Sequence, residues 1–289
     1  MATVETNDIR GLDIDKLVKG FALTEYVFKG MVTVSSTSGD AIRWYQETAA
    51  DLTAITPTVV ANISPLSTFP TLEVTWTRQT SYVRKYAAEG FISMEDIKSA
   101  DIDVLARTML RLTRAVVKQV DTRIYNVLSD TQATGSAGVG TAAATGTGWD
   151  DTSSGNPILD IMKAKQNIAE NNYNPEGGMI AMNPKNHKDL LNNLIVLKGS
   201  SIPQFASTKV QTGVVMELLG MRVVVSNNVV ADSVYVGLPA RACTWKSHTD
   251  TTAKSIVDPG VGTKLRVWEM GEALLTDPKA SFVITDTDT

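Results

Sequence analysis

Residues 101–130 read DIDVLARTMLRLTRAVVKQVDTRIYNVLSD, without a Gly or a Pro. Apolar side chains recur at Ile102, Leu105, Met109, Leu112, Val116, Val120, Ile124 and Val127. Steps of three and four place them in one stripe along an α-helix. Arg107, Arg111, Arg114 and Lys118 follow the same steps half a turn away. At about 1.5 Å per residue the helix would be roughly 45 Å long, far beyond the usual three to four turns. A helix of that length acts as a strut, so the segment is read as a spine.

Upstream, AAEGFISMEDIKSA (87–100) reads as a turn into the spine, with Ser99 or Asp101 as its cap and Asp101 and Asp103 suiting the positive helix end. Residues 41–47 and 71–86 read as strands, because Leu72, Val74 and Trp76 alternate with polar residues. Between them Thr48–Pro70 carries Pro57, Pro65 and Pro70 without a period. Connections beyond about 15 residues are uncommon in compact domains unless they are functional or disordered. A two-stranded ribbon cannot bury enough apolar surface alone, so Trp44, Tyr45, Trp76 and Tyr82 must pack outside it. Residues 1–28 form a polar lead followed by a short helical pattern interrupted at Gly20. Two readings stay open there: docking on the chain's own core, or an arm to a neighbour.

Downstream, residues 131–155 are rich in Gly, Ala, Thr and Ser and read as a flexible linker between two compact parts. Residues 156–240 read as an α/β unit. Asn156-Pro157 and Asn183-Pro184 open helices to about Asn171 and Leu194. Strands are expected at 178–182 and near Val214–Leu219, Met221–Ser226 and Ser233–Val236. Residues 241–289 form a return segment, with strands near Leu265–Met270 and Ser281–Thr285.

The chain has 289 residues, 43% hydrophobic and 20% charged, with formal net charge -4 and pI about 5.3. That charge excludes a dedicated nucleic-acid binder by bulk electrostatics and leaves room for a local basic stripe. Cys243 is the single cysteine, which rules out an internal disulfide and a thiolate metal cluster. No signal-peptide pattern and no apolar run near the roughly 18 residues needed for a membrane span occurs. A soluble protein from a reducing compartment is expected.

Chemistry-bearing patterns are sparse. Gly138–Ala143 matches G-x-G-x-x-A but lacks the preceding strand and following helix that a dinucleotide site needs. His187 and His248 are the only histidines and lack metal-ligand spacing. Asp101/Asp103 and Asp150/Asp151 suit capping and turns better than acid–base work. No catalytic, metal or cofactor site is expected. The basic stripe reads first as a solvated or salt-bridged face, and second as a phosphate-contacting or intersubunit one.

The order of parts resembles the major capsid proteins of tailed bacteriophages, with the Hong Kong 97-like α+β fold. GMIAMNPKNHKDLL (178–191), LLGMRVVVSNNVVADSVYVG (218–237) and RVWEMGEALLTDPKASFVITD (266–286) are similar to that family's local patterns, although Arg222 stands near where the family often has Pro. The resemblance implies an N-terminal arm (1–28) and an extended loop with flanking peripheral-domain strands (29–92, tip about 48–70). It also implies a spine helix (93–130), a Gly-rich connection (131–155), an axial domain (156–240) and a return segment with a C-terminal strand (241–289). It implies a non-enzymatic shell protein assembling as pentamers and hexamers around double-stranded DNA in a virion formed in the host cytoplasm. With no room for a scaffolding segment before Ala22, a separate scaffolding protein is expected, beside a portal, a decoration protein and no membrane. Trp44, Tyr45 and Trp76 would be ribbon contacts to neighbours.

Some relatives crosslink a loop Lys to an Asn of a neighbour. No Lys lies between Lys29 and Lys85, and the arginines there stay protonated, so a shell without covalent links is expected. Two alternatives stay open. One is an encapsulin-type compartment of the same fold; the other is an α/β enzyme with a lid at residues 48–70.

Overall fold

The computed structural model describes residues 26–46, 63–68, 77–99, 104–130, 138–151, 153–197 and 217–288, with Val18, Lys19 and Ala22. These divide into two compact units. Unit 1 draws on residues 1–42, 81–124 and 245–273; unit 2 draws on 43–80, 125–244 and 274–289.

Unit 1 is a four-stranded sheet with a helix against one face. Its strands are β1 (Thr33–Ser36), β4 (Arg84–Ser93), β10 (Cys243–Asp258) and β11 (Gly262–Leu275), in the order β1-β10-β11-β4. β4 and β11 run antiparallel, with Ser93 opposite Gly262 and Arg84 opposite Gly271. The helix is the spine, α2 (Val104–Leu128), whose last residues belong to unit 2. Its apolar stripe is buried as expected: Met109, Val116, Val120 and Ile124 are all enclosed. Met109 and Val116 join Ile92, Ala253, Leu265, Val267 and Val18 in one core cluster. Val18 thus supports the own-core reading of the N-terminal lead at that position. The segment 87–100, expected as a turn, is instead most of β4 followed by α1 (Met94–Ser99). Tyr86, Ala88 and Ile92 pack toward the core on alternate positions, and pairing with β11 holds Ala87, Glu89 and Gly90 in the strand despite their weak β propensity.

Unit 2 is built on a six-stranded mixed sheet, ordered β5 (Gly140–Ala143), β12 (Ser281–Thr285), β9 (Ser233–Gly237), β6 (Met179–Met182), β8 (Met221–Val225) and β7 (Glu217–Leu218). β5 pairs parallel with β12, and β6 parallel with β8; the remaining pairs are antiparallel. The central strands are apolar and enclosed, with Ile180, Val234, Tyr235, Val236 and Val283 nearly inaccessible. This is the pattern of strands covered on both faces. Both Asn-Pro openings occur where expected. Asn156 accepts from Leu159 N at 3.3 Å to cap α3 (Pro157–Glu170). Asn183 accepts from Lys185 N at 3.1 Å to cap α4 (Pro184–Asn192). A π-helical turn, Asn193–Leu197, follows α4. β7 and β8 are joined by Leu219 and Gly220, both at positive φ (54° and 75°), the two-residue turn that matches strand twist. A short helix α5 (Pro239–Ala242) precedes β10.

The linker reading of 131–155 is corrected where the structure describes it. Residues 140–143 are the edge strand β5, and Trp149 is buried. Asp160 of α3 accepts from Thr145 N and Trp149 Nε1, both at 3.0 Å, and from the Thr145 hydroxyl. A low-complexity composition is compatible with order here because one buried carboxylate satisfies several donors of the loop.

A separate two-stranded ribbon pairs β2 (Ala41–Gln46) with β3 (Thr77–Tyr82). The expected strand 71–86 therefore appears as β3 and the start of β4, and its first residues lie outside the described set.

Candidate functional site

Two exposed surfaces and one buried network stand out. The first surface is the ribbon. In β2 alternate residues are enclosed, and Trp44 donates its indole N–H to Leu275 O at 3.1 Å. Trp44, expected as a ribbon contact to a neighbour, lies on the covered side of β2, where the period of two sends it. Tyr45 points the other way and is 62% exposed, as is Tyr82 of β3 at 69%. Trp76 and most of the 48–70 tip lie outside the described residues.

The second surface is the basic stripe. Arg107, Arg111, Arg114 and Lys118 are all exposed on α2. Among the described residues, Arg107, Arg111 and Lys118 make no ion pair, whereas Arg114 has a partner.

The network lies in unit 1 and was not legible in the sequence. Glu272 of β11 is fully enclosed and accepts from Arg123 of α2 through Nε at 2.9 Å and Nη2 at 2.5 Å. Arg84 Nε stands 3.1 Å from its other oxygen, an ion-pair distance without hydrogen-bond alignment. Earlier on the same strand, Glu269 accepts from Lys29 Nζ at 2.6 Å, Thr251 Oγ1 at 2.9 Å and the Tyr26 hydroxyl. Asp121 of α2 accepts the backbone N–H groups of Val27 at 2.7 Å and Lys29 at 3.1 Å. Burial pushes Glu272 and Asp121 above the usual carboxylate range, against the lowering pull of these donors. Burial also pushes the Tyr26 hydroxyl up. The charged residues of the spine were visible in the sequence; which of them turn inward was not, since Asp121 and Arg123 flank the apolar stripe.

The remaining sequence candidates do not converge. His187 sits in α4, its pKa lowered by burial, and His248 in β10 lies 3.1 Å from Thr249 Oγ1. Gly138–Ala143 leads into β5 rather than into a helix, so it lacks the amide cradle of a phosphate site. Asp151 organises its turn, accepting from Ser153 N at 2.9 Å, from the Ser153 and Ser154 hydroxyls and from Thr147, which holds it well below the usual carboxylate range. Among the described residues no three His, Cys, Asp or Glu side chains gather as metal ligands, and no helix is long and apolar enough to cross a membrane.

The sequence pattern of the family described as Phage capsid protein matches residues 77–284, well over half of the chain. The chain belongs to that family. No curated protein matches it by sequence. Solved structures share its fold. A virus-like particle from Pyrococcus furiosus aligns over 95% of this chain and 99% of its own, with TM-score 0.64 and 13% identity. A protein of Mycobacterium phage Che8 aligns over 91% and 92%, with TM-score 0.63 and 17% identity. The capsid of the cyanophage P-SCSP1u aligns over 90% and 88%, with TM-score 0.66 and 15% identity. The fold is Hong Kong 97-like, and the protein is a structural component of a phage capsid. Family membership favours this over the cellular-compartment alternative.

Proposed function

We propose that many copies close, as pentamers and hexamers, into an icosahedral shell around the double-stranded DNA of a tailed phage. The shell acts by shape and contact and catalyses nothing. It forms in the host cytoplasm with a separate scaffolding protein and a portal, and a decoration protein can join it. The family match across residues 77–284, which draws on both compact units, carries this reading. Closure of like subunits requires head-to-tail interfaces whose rotation closes. The exposed rings of Tyr45 and Tyr82 offer apolar surface for such contacts. The two units take the peripheral and axial roles, with the spine in the first.

The stripe Arg107, Arg111, Arg114 and Lys118 then meets DNA phosphate without sequence preference. Four phosphate contacts would give a log–log salt slope of about -3.6 per subunit, at about 0.9 per contact. The shell holds without covalent links, so mature particles boiled in detergent and reductant run as one band near 31.1 kDa. Electron microscopy and light scattering of purified native particles test the reading. Closed shells are expected; monomers or dimers under all conditions overturn it. Deleting residues 50–68 is expected to leave folded subunits that form no stable shell.

A further inference from the structure

The exposed face of α2 is cationic along the whole stripe. Between Arg107 and Gln119 its exposed positions are Arg107, Arg111, Arg114, Ala115, Lys118 and Gln119, with no acid among them. Ala115 lies four positions after Arg111, three before Lys118 and four before Gln119, so these three side chains surround it on one face. A small side chain there leaves a notch in the middle of the positive surface.

The notch opens sideways onto β4. A cleft of about 400 Å³ runs between Ala115, Lys118 and Gln119 of α2 and residues 85–88 of β4. No described strand pairs along this edge of β4. Met94 N donates to Val261 O at 3.1 Å, one step beyond the pair Ser93–Gly262. The alternation of an antiparallel pair then turns the main-chain groups of Tyr86 and Ala88 toward β11 and the N–H of Ala87 toward the open edge. Ammonium, amide and main-chain donors therefore meet over a floor of alanines. No carboxylate offsets them. Among the described residues Lys85, Arg111 and Lys118 make no ion pair. Glu89, the one acid of β4, lies on the strand face turned away from α2 and is held by Arg266. Asp121, the one acid of α2, is buried and accepts from the main chain of Val27 and Lys29. Lys85 Nζ stands 6.0 Å from the Trp268 ring of β11, so Lys85 bounds the cleft rather than fills it.

We propose that this cleft is a seat for one phosphate group of the packaged DNA. The phosphate oxygens accept from Lys118 Nζ, the Gln119 side-chain amide and the N–H of Ala87, and Arg111 meets the next phosphate along the strand. A diester oxygen needs donors and no competing carboxylate, and the cleft meets both conditions. Its width depends on Ala115, since any longer side chain at that position would occupy the notch. The rest of the stripe attracts the duplex by charge alone. The seat adds a fixed point, which sets how the strand lies along α2.

The inference rests on the reading of the stripe as a DNA contact. Full-length subunits are titrated against a short labelled DNA duplex by fluorescence anisotropy over a series of salt concentrations. Ala115→Leu fills the notch without changing charge and keeps a good helix former at an exposed position. It should weaken binding about tenfold and make the log–log salt slope shallower by about 0.9, the share of one phosphate. Lys118→Ala with Gln119→Ala should do the same from the donor side, with the melting temperature unchanged. Lys254→Ala, an exposed cation of β10 outside the stripe, should alter neither affinity nor slope. Wild-type affinity and slope in Ala115→Leu overturn the seat and leave the stripe as a diffuse contact. Inorganic phosphate should displace the duplex from wild-type subunits at lower concentration than sodium chloride of equal ionic strength. Phosphate binding that Ala115→Leu abolishes without loss of duplex affinity marks a free-anion site and overturns the assignment to DNA. Wild-type subunits that bind no duplex at low salt overturn the stripe reading and the seat together.

Discussion

Unit 1 and unit 2 are held together by different physics. In unit 2 the central strands β6, β9 and β12 are apolar on both faces, and its buried polar groups bond mainly to single neutral partners, as Asn186 to Ser233 O and Tyr235 to Ser281, with Arg241 on Asp277 as an ion pair half open to solvent. In unit 1 β11 carries two fully enclosed carboxylates, Glu269 and Glu272, joined to cations or hydroxyls from α2, β4, β10 and the segment before β1. Apolar burial is non-directional and tolerates sliding. Buried ion pairs are directional, and they strongly penalise a missing partner. Unit 1 is assembled from three distant stretches of chain, so its network specifies which segment lies beside which. Unit 2 takes most of its residues from one continuous stretch and has less need of such a device.

The largest expected effect breaks the network. Glu272→Ala removes the carboxylate that the guanidinium of Arg123, 6% exposed, donates to, and should destabilise unit 1 by about 3–5 kcal/mol. The same carboxylate makes a pH prediction. Its folded pKa lies above the ordinary 4.5, so its protonated form is favoured by folding. The corresponding stability is fully present below that ordinary value and is lost as pH rises through the raised folded value. Glu272→Gln should flatten this part of the melting-temperature profile; an unchanged profile would remove Glu272 from the account.

In unit 2 the matching probe is Ile180→Ala, at a fully enclosed position of β6. A loss of about 3 kcal/mol is expected from transfer and cavity terms, with no dependence on pH between 4 and 8, in roughly the range where carboxylates and histidine titrate. A pH-dependent loss there would dissolve the contrast between the units. Asn183→Ala removes the cap of α4 and should cost about 1 kcal/mol by denaturant titration. The smallest effect belongs to the exposed stripe. Replacing Arg107, Arg111, Arg114 and Lys118 by Gln should change stability by less than about 1 kcal/mol while altering DNA retention. Collapse of the subunit would place the stripe inside the fold's own energetics.

The sequence by itself determined the spine helix, because a single apolar stripe at steps of three and four has one solution over that length. It also determined both Asn-Pro helix openings, where the fixed proline φ and the asparagine acceptor act within one turn, and the strand at 281–285. These are local interactions, readable within about a dozen residues. Tertiary structure alone decided the rest. Residues 87–93 form a strand because β11, far along the chain with Gly262 opposite Ser93 and Trp268 opposite Ala87, supplies their hydrogen bonds. Residues 140–149 are ordered because Asp160 and the β12 edge satisfy their donors. Trp44 faces inward and Tyr45 outward because the carbonyl of Leu275 and the cover over β2 come from far along the chain. The inward turn of Asp121, Arg123, Glu269 and Glu272 depends on charges meeting across distant segments, and no local pattern encodes such a meeting.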